Sequence, residues 1–149
     1  FGSLRHFTRE NAPEGAPARC TDGCPAEAEC PYSAPRFYLG KVEKQELGWP
    51  VNVLAVSPTR ESILEALQTG PYGRCVYACD NNVAAHQATA IRFDNGVTAT
   101  FNLSAFTAKV NRSLKVMCQF GEIRAIEKPY LIETTDFRTD ETNVIELDV

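Results

Sequence analysis

Several features that would identify a function are missing from this sequence. No apolar run approaches the roughly 18 residues that a membrane-spanning helix needs, so we do not expect a membrane protein. Basic residues are not clustered: fifteen Lys and Arg against nineteen Asp and Glu are spread along the chain and give a net charge of -4. Without a basic patch that could follow phosphates, nucleic acid is not an expected partner. No G-x-G-x-x-G stretch follows a strand and opens a helix, so no dinucleotide-binding turn is expected.

Length and cysteine content indicate the class of protein. A chain of 149 residues has the usual size of one domain and can bury a core without crosslinks. Its six cysteines therefore favour a reducing compartment, and we predict a cytoplasmic protein. A secreted protein with three disulfides is the alternative. Because the sequence opens on Phe1 with neither a methionine nor a leader, we expect a processed product or a piece of a longer protein.

The first third of the sequence is rich in residues that interrupt regular structure. Proline and glycine recur there with no sustained period of two or of 3.6 residues. This pattern predicts an extended Cys/Pro-rich loop region over residues 1–48. Loops of this length are uncommon inside compact domains and are usually functional, or are held in place by another interaction. The loop cysteines are candidates for that interaction.

Residues 49–149 predict a helix followed by strands. The helix lies in SPTRESILEALQTGPYG, where Ser57 or Thr59 can cap its start and a Gly-Pro pair ends it. The stretches VAAHQATAIRF and VTATFNLSAF alternate in polarity around Asp-Asn-Gly, a strong hairpin signal, and four more short strands follow. We predict an α+β fold with one open, mainly antiparallel β-sheet and helices on one face. Trp49 and Cys118 are expected in the core.

The predicted sheet has two unlike faces after the hairpin turn. Alternate residues of a strand point to opposite sides. One side carries Val97, Ala99, Phe101, Leu103 and Ala105, and the other carries Thr98, Thr100, Asn102, Ser104 and Phe106. A sheet that is covered on one side and half-apolar on the other often associates with a second subunit. We therefore predict a homo-oligomer that forms through the open sheet face.

Five stretches in order along the chain are distinctive: APEGAPARC, CPYSAPRFYL, WPVNVL, GPYGRCVYACDNNVAAHQ and FDNGVTATFNLSAFT. They resemble the C-terminal domain of the Gfo/Idh/MocA family of NAD(P)-dependent oxidoreductases, in the branch with a cysteine-rich loop before CPYSA. The resemblance implies that residues 1–149 are a single substrate and oligomerisation domain of a larger protein. It also implies a missing N-terminal Rossmann domain as partner, which would bind NAD or NADP.

The same resemblance implies that the catalytic residues lie outside this sequence. In the family, a catalytic lysine sits in a Glu-Lys-Pro motif at the edge of the Rossmann domain, and an assisting histidine lies on a helix further along. This sequence does contain Glu127-Lys128-Pro129, but between two predicted strands near the C-terminus. We interpret Lys128 as a solvated turn residue, because a three-letter motif recurs often without its context. We assign catalysis to no residue and predict that the fragment alone is inactive.

A metal site is one explanation of the cysteine loop. The spacings of Cys20, Cys24 and Cys30 can bring three thiolates round one ion, although they differ from the C-x2-C pair of common zinc modules. We predict Cys79 as the fourth ligand, with Cys75 and His6 as further candidates, and a structural zinc as the ion. Packing of the thiols as small apolar groups and a disulfide are the alternatives. A catalytic thiol is not favoured, because no base or helix N-terminus is visible beside the cysteines.

Candidate substrate-binding residues follow the predicted helix. Tyr72, Arg74, Asp80 and His86 form the mixed aromatic and hydrogen-bonding set that recognises polyhydroxylated ligands. If the strand that carries His86 is part of a substrate wall, as the family's sheet partly is, Asp80 and His86 would bind hydroxyl groups. The alternative is a loop whose polar side chains cap its own backbone, followed by a surface histidine.

Two functions are consistent with these observations. The first is the C-terminal domain of an NAD(P)-dependent oxidoreductase that acts on a small polyol, sugar or related hydroxy or keto compound. In that case the cofactor performs the redox chemistry and this domain supplies substrate wall and oligomer interface. The second is a non-enzymatic binding or assembly module that uses a metal-clipped cysteine loop.

Overall fold

The computed structural model describes residues 1–147, which divide into two compact units. The first unit consists of residues 1–105 and the second begins at Phe106. The first contains two helices and a three-stranded antiparallel sheet, and the second contains a four-stranded antiparallel sheet. This content confirms a small α+β fold. That residues 1–149 serve as one domain of a larger protein stays a prediction.

Helix α1 (Ala34–Glu43) lies inside the region predicted as an extended loop, so that part of the prediction is wrong. Ser33 caps the helix: its hydroxyl accepts the backbone N–H of Arg36 at 3.2 Å. Pro35 sits in the first turn, where a missing N–H costs no hydrogen bond. The proline that suggested a loop is therefore part of a helix start.

Helix α2 (Arg60–Thr69) confirms the predicted helix. Thr59 and Ser62 form a reciprocal capping box, in which each side chain accepts the other's backbone N–H, at 3.1 and 2.9 Å. The two helices pack on each other and form the core of the first unit. That core is centred on the fully buried side chains of Val51, Ile63 and Leu67. Neither helix of residues 1–147 is long and apolar enough to cross a membrane.

The sheet of the first unit is built on the predicted hairpin. Strand β2 (His86–Arg92) pairs antiparallel with β3 (Thr98–Ser104), and the short β1 (Gly2–Ser3) pairs with the other edge of β2. The turn between β2 and β3 has Asn95 Oδ1 accepting the N–H of Val97 at 3.1 Å. This confirms the hairpin that Asp-Asn-Gly predicted.

The two faces of this hairpin differ, as the alternation predicted. One face pairs Ile91 with Ala99, Thr89 with Phe101 and Gln87 with Leu103. Helices were expected to cover one face, yet the large apolar side chains here are 40 to 49% exposed. The prediction fails because α1 and α2 pack against each other instead.

The second unit is a meander of four strands. These are β4 (Ser113–Met117), β5 (Gly121–Ile126), β6 (Leu131–Asp136) and β7 (Glu141–Glu146), in that order across the sheet. The strands therefore form a sheet of their own, and the single predicted sheet is wrong. The eight residues between β3 and β4 are irregular and contain no tight-turn pair that would hold these strands side by side.

The structure tests the predictions made for three single residues, Lys128, Cys118 and Trp49. Lys128 is exposed in the turn between β5 and β6, as interpreted from the sequence. Cys118 follows β4 and is exposed, so its core placement is wrong. Trp49 is 68% exposed and does not pack under a helix, because it precedes a short 3-10 turn at Val51–Val53 that buries Val51 instead.

Candidate functional site

The candidate site forms where the cysteine loop meets the chain after α2. The N–H of Cys20 donates to the carbonyl of Gly73 at 2.9 Å, and the N–H of Cys75 donates to the carbonyl of Ala18 at 2.8 Å. Between them, Arg19 and Arg74 form an isolated antiparallel bridge. Because alternate residues of extended chain point to opposite sides, Cys20 and Cys75 face the same side of this bridge.

Arg19 fixes the cysteine loop to the end of α2. Its guanidinium donates to the carbonyl oxygens of Leu67, Thr69 and Gly70 at 2.9 to 3.0 Å. These are carbonyls that the last turn of a helix leaves without partners, and the negative end of the helix dipole favours a cation there. The loop is therefore anchored by a charge that matches the helix terminus.

Gly73 permits the close approach of the two segments. A Cβ at this position would lie 1.7 Å from the carbonyl oxygen of Leu67, a distance that no side chain tolerates. The residue is buried and lies directly opposite Cys20. Only glycine brings the backbone of residue 73 this close to α2.

The remaining loop cysteines return to the same place. Gly23 has a positive φ of 77°, which favours glycine and allows the chain to turn between Cys20 and Cys24. A further turn is closed by the N–H of Cys30, which donates to the carbonyl of Ala26 at 2.8 Å. Four thiols thereby line one small cavity, those of Cys20, Cys24, Cys30 and Cys75.

Size and walls define what this cavity can hold. Its volume is about 20 Å³, which is room for one water-sized body. The lining also includes Ser33, the cap of α1, the buried Tyr77, and the charged residues Arg19 and Glu27. Cys79, the predicted fourth ligand, is not part of this lining. Its thiol donates instead to the carbonyl of Cys75 at 3.3 Å, whereas Cys75 itself is part of the lining.

The electrostatics of Cys20 argue against a catalytic thiol. Burial is the main cause that raises the pKa of Cys20, and the neighbouring thiols of Cys75, Cys24 and Cys30 raise it further. A hydrogen bond from the backbone N–H of Ala34, the first residue of α1, acts in the opposite direction. The balance keeps the free thiol protonated at neutral pH, whereas a nucleophilic cysteine needs a lowered pKa.

The thiols are close but do not stand in ligand geometry as placed. Within residues 1–147, no three His, Cys, Asp or Glu side chains are arranged so that they could hold a metal ion without moving. What the fold provides is a common cavity and a common direction. Metal binding here would need rotation of the thiols about their Cα–Cβ bonds.

An aromatic cluster supports one wall of the cavity. It consists of His6, Phe7, Tyr32 and Tyr77, whose ring centroids lie 5.0 to 6.1 Å apart. The hydroxyl of Tyr77 lies 3.4 Å from His6 Nε2, and burial is the main cause that raises the pKa of this tyrosine. The cluster ties the start of the chain to the segment that carries Cys75.

The four predicted substrate residues are only partly brought together. Arg74 and Asp80 form an exposed ion pair with 2.7 Å between Nη2 and Oδ1, and the hydrogen bond from Arg74 is the main cause that lowers the pKa of Asp80. Tyr72 packs edge-on against Tyr38 at 6.3 Å. His86 opens β2, where its Nε2 lies 3.2 Å from the hydroxyl of Ser3. Arg74 and Asp80 thus contact each other, whereas Tyr72 and His86 contact other residues.

Sequence reasoning missed Arg19 in this site and gave Cys75 only as a further candidate for the fourth ligand. The dipeptide Arg-Cys occurs at residues 19–20 and again at residues 74–75. The structure pairs these two copies antiparallel, which places each cysteine beside the other and each arginine on the opposite side. This pairing is a contact between distant parts of the chain, and it brings Arg19 to the end of α2 and Cys75 next to Cys20.

Comparison with known proteins adds no relative. No protein-family model matches the chain, and no curated protein or solved structure matches it. The resemblance to the Gfo/Idh/MocA oxidoreductases therefore stays a prediction from the five motifs.

Proposed function

We propose that this chain is the C-terminal domain of an NAD(P)-dependent oxidoreductase that acts on a small polyol, sugar or related hydroxy or keto compound. In this proposal a Rossmann domain elsewhere in the protein binds NAD or NADP, and the cofactor carries out the hydride transfer. The present chain supplies part of the substrate wall and the surface for assembly. It is inactive alone.

The two-faced hairpin is the observation that carries this proposal. One face of β2 and β3 presents small and polar side chains, with Ala88 opposite Asn102 and Ala90 opposite Thr100. Such a surface leaves room for a hydroxylated ligand and offers it hydrogen bonds. The other face presents Ile91, Phe101 and Leu103, which are 40 to 49% exposed and suit contact with protein. A substrate wall inside a larger enzyme needs this combination.

The exposed pair of Arg74 and Asp80 is the proposed substrate contact, with Tyr72 beside it on the 3-10 turn at Pro71–Gly73. An arginine and a carboxylate give a sugar-like ligand both donors and acceptors. His86 contributes from the start of β2. The side chains of the pair are 40 and 86% exposed, so a ligand can reach them without unfolding of the loop.

The full reading frame tests this function. A dinucleotide-binding segment of roughly 120 to 200 residues should be encoded with this chain, and the full-length protein should reduce or oxidise NAD(P) with at least one compound of a polyol and sugar panel. Arg74→Ala and Asp80→Asn should raise KM about tenfold, the loss of roughly one hydrogen bond. The control is Arg60→Ala, which breaks the exposed Arg60–Glu43 pair outside the site. A reading frame without such a segment contradicts the proposal.

Self-association through the apolar hairpin face is the second part of the proposal. The wild-type chain should sediment as a dimer or larger assembly, because the exposed face would otherwise remain in contact with water. Phe101→Ser should shift the protein toward monomer, whereas Thr100→Ser, on the opposite face, should not. Sedimentation velocity at several concentrations distinguishes these outcomes. A wild-type chain that stays monomeric throughout rules out this interface.

A non-enzymatic binding or assembly module is the second candidate function. The observation that favours it is the convergence of four thiols on one cavity, which provides a structural clip and no reaction. This candidate predicts a full-length protein that binds neither NAD nor NADP in isothermal titration calorimetry. Nucleotide binding by that protein would exclude it.

A further inference from the structure

We propose that Cys20, Cys24, Cys30 and Cys75 bind one Zn²⁺ ion as a structural site. The four thiols line the same cavity, and they come from two segments that the bridge between Arg19 and Arg74 joins. The inference does not depend on the oxidoreductase function, since a closed four-thiolate site has no open position for a substrate.

The backbone gives Cys20 and Cys75 the separation that a zinc site uses. Cys20 lies opposite Gly73, so Cys75 is its diagonal neighbour across the bridge. Diagonal neighbours on one face are about 7 Å apart at most between Cβ atoms, and this distance lets two sulfurs reach one ion at about 2.3 Å each. The pair is therefore placed by backbone hydrogen bonds before any ion binds.

The four thiols must rotate to bind one ion, and each sulfur has to move only a short distance. Moving a sulfur from one staggered rotamer to the next displaces it by about 3 Å, which is comparable to the width of a cavity that holds one water-sized body.

The chemistry of the four ligands and the volume of the cavity indicate which ion binds. Four thiolates favour zinc or iron over the hard cations that oxygen ligands select. A cavity of about 20 Å³ has room for a single ion. Binding releases one proton from each thiol to solvent. The resulting negative charge lies near the N-terminus of α1, because Ser33, the cap of that helix, lines the same cavity.

The loop has a physical need for such a clip. Residues 12–33 contain turns but no helix or strand, and few of their residues are buried. A segment of this kind gains little from burial and loses much conformational entropy when it is ordered. A zinc ion that joins Cys24 and Cys30 to the bridge would offset that loss, as in small metal-dependent domains.

Metal content and thiol protection test the proposal on the intact chain. Protein purified without chelator should contain about one equivalent of zinc by mass spectrometry. Alkylation followed by peptide mapping should leave Cys20, Cys24, Cys30 and Cys75 unmodified until a chelator is added. Cys118 is exposed and should react equally before and after chelation, which makes it the internal control. No variant is needed, so a folding failure cannot obscure the result.

Serine variants then identify the fourth ligand. Cys75→Ser should lower the zinc content or change the spectrum of the Co²⁺-substituted protein, whereas Cys79→Ser should change neither. Absence of zinc, or equal labelling of all six cysteines without chelator, overturns the proposal. Loss of zinc in Cys79→Ser but not in Cys75→Ser overturns the assignment to Cys75.

Discussion

The helical part of the first unit and the four-stranded sheet of the second unit keep their shape in different ways. The helical part buries Val51, Ile63 and Leu67 completely. In the second unit, none of residues 106–147 is buried, and its strands expose apolar side chains such as Leu114 and Ile145. The helical part therefore has a buried core of its own, whereas residues 106–147 have none.

The difference lies in how each region satisfies its polar groups. In the sheet, backbone hydrogen bonds and exposed ion pairs, such as Lys115 with Glu122 at 2.7 Å, stabilise the strands without burying them. Exposed pairs of this kind contribute at most about 1 kcal/mol. In the helical part, caps and a buried core act together. The sheet therefore relies on hydrogen bonds and ion pairs at its surface, whereas the helical part also has a buried core.

The largest expected effect comes from the core itself. Leu67→Ala should lower the free energy of unfolding by about 2 to 5 kcal/mol, because it removes a fully buried side chain and leaves a cavity. The matched change Ile145→Ala, on a side chain that is 49% exposed, should cost about 0.5 kcal/mol or less. Urea unfolding followed by circular dichroism over helix and strand bands measures both. Equal losses would mean that Leu67 contributes no more to stability than a half-exposed side chain does.

A smaller loss of stability is expected when Arg19, which anchors the cysteine loop to α2, is replaced. Arg19→Ala leaves three carbonyl oxygens at the end of α2 without their donor and should cost about 1.5 to 3 kcal/mol. Arg60→Ala is the control, since it breaks only an exposed pair and should cost about 1 kcal/mol or less. The same unfolding measurement applies. If the two variants are equally stable, the guanidinium of Arg19 does not hold the loop.

The smallest effect should be found in the second unit, at Asp136. The hydrogen bond from Arg138 is the main cause that lowers the pKa of this carboxyl from its ordinary value of 3.8 to about 2. A lowered pKa means that the stabilisation is fully present above about pH 4 and is lost as the pH falls through about 2. Carboxyl NMR titration should show this midpoint, and Arg138→Ala should return it toward the ordinary value. An ordinary midpoint in the wild-type chain would show that the pair does not form.

Local signals in the sequence predicted the elements that depend on local chemistry. The capping residues of α2 and the Asp-Asn-Gly turn of the hairpin act within a few residues, and both predictions are confirmed. Helix α1 was not predicted, because Pro35 is typical of a loop unless Ser33 is recognised as the cap of a helix that begins there. The division into two sheets was not predicted, for another reason. Strand pairing depends on the long connection after β3, and the sequence of that connection contains no turn signal.

The candidate site depended on contacts between distant parts of the chain. The sequence predicted Cys79 as the fourth thiol, with Cys75 as a further candidate. The 3-10 turn at Val76–Ala78 redirects the chain, so that the Cys79 thiol points back to the Cys75 carbonyl. The pairing of Arg19 with Arg74 decides which thiol faces the cavity, and no local pattern encodes that pairing.

X-ray absorption at the zinc edge tests the central claim most directly, because it counts the ligand atoms of the bound ion. The account predicts one zinc per chain with four sulfur neighbours at about 2.3 Å and no nitrogen or oxygen neighbour. A first shell that includes nitrogen or oxygen at about 2.0 to 2.1 Å would contradict it. In that case at least one of the four thiolates would not be a ligand of the ion.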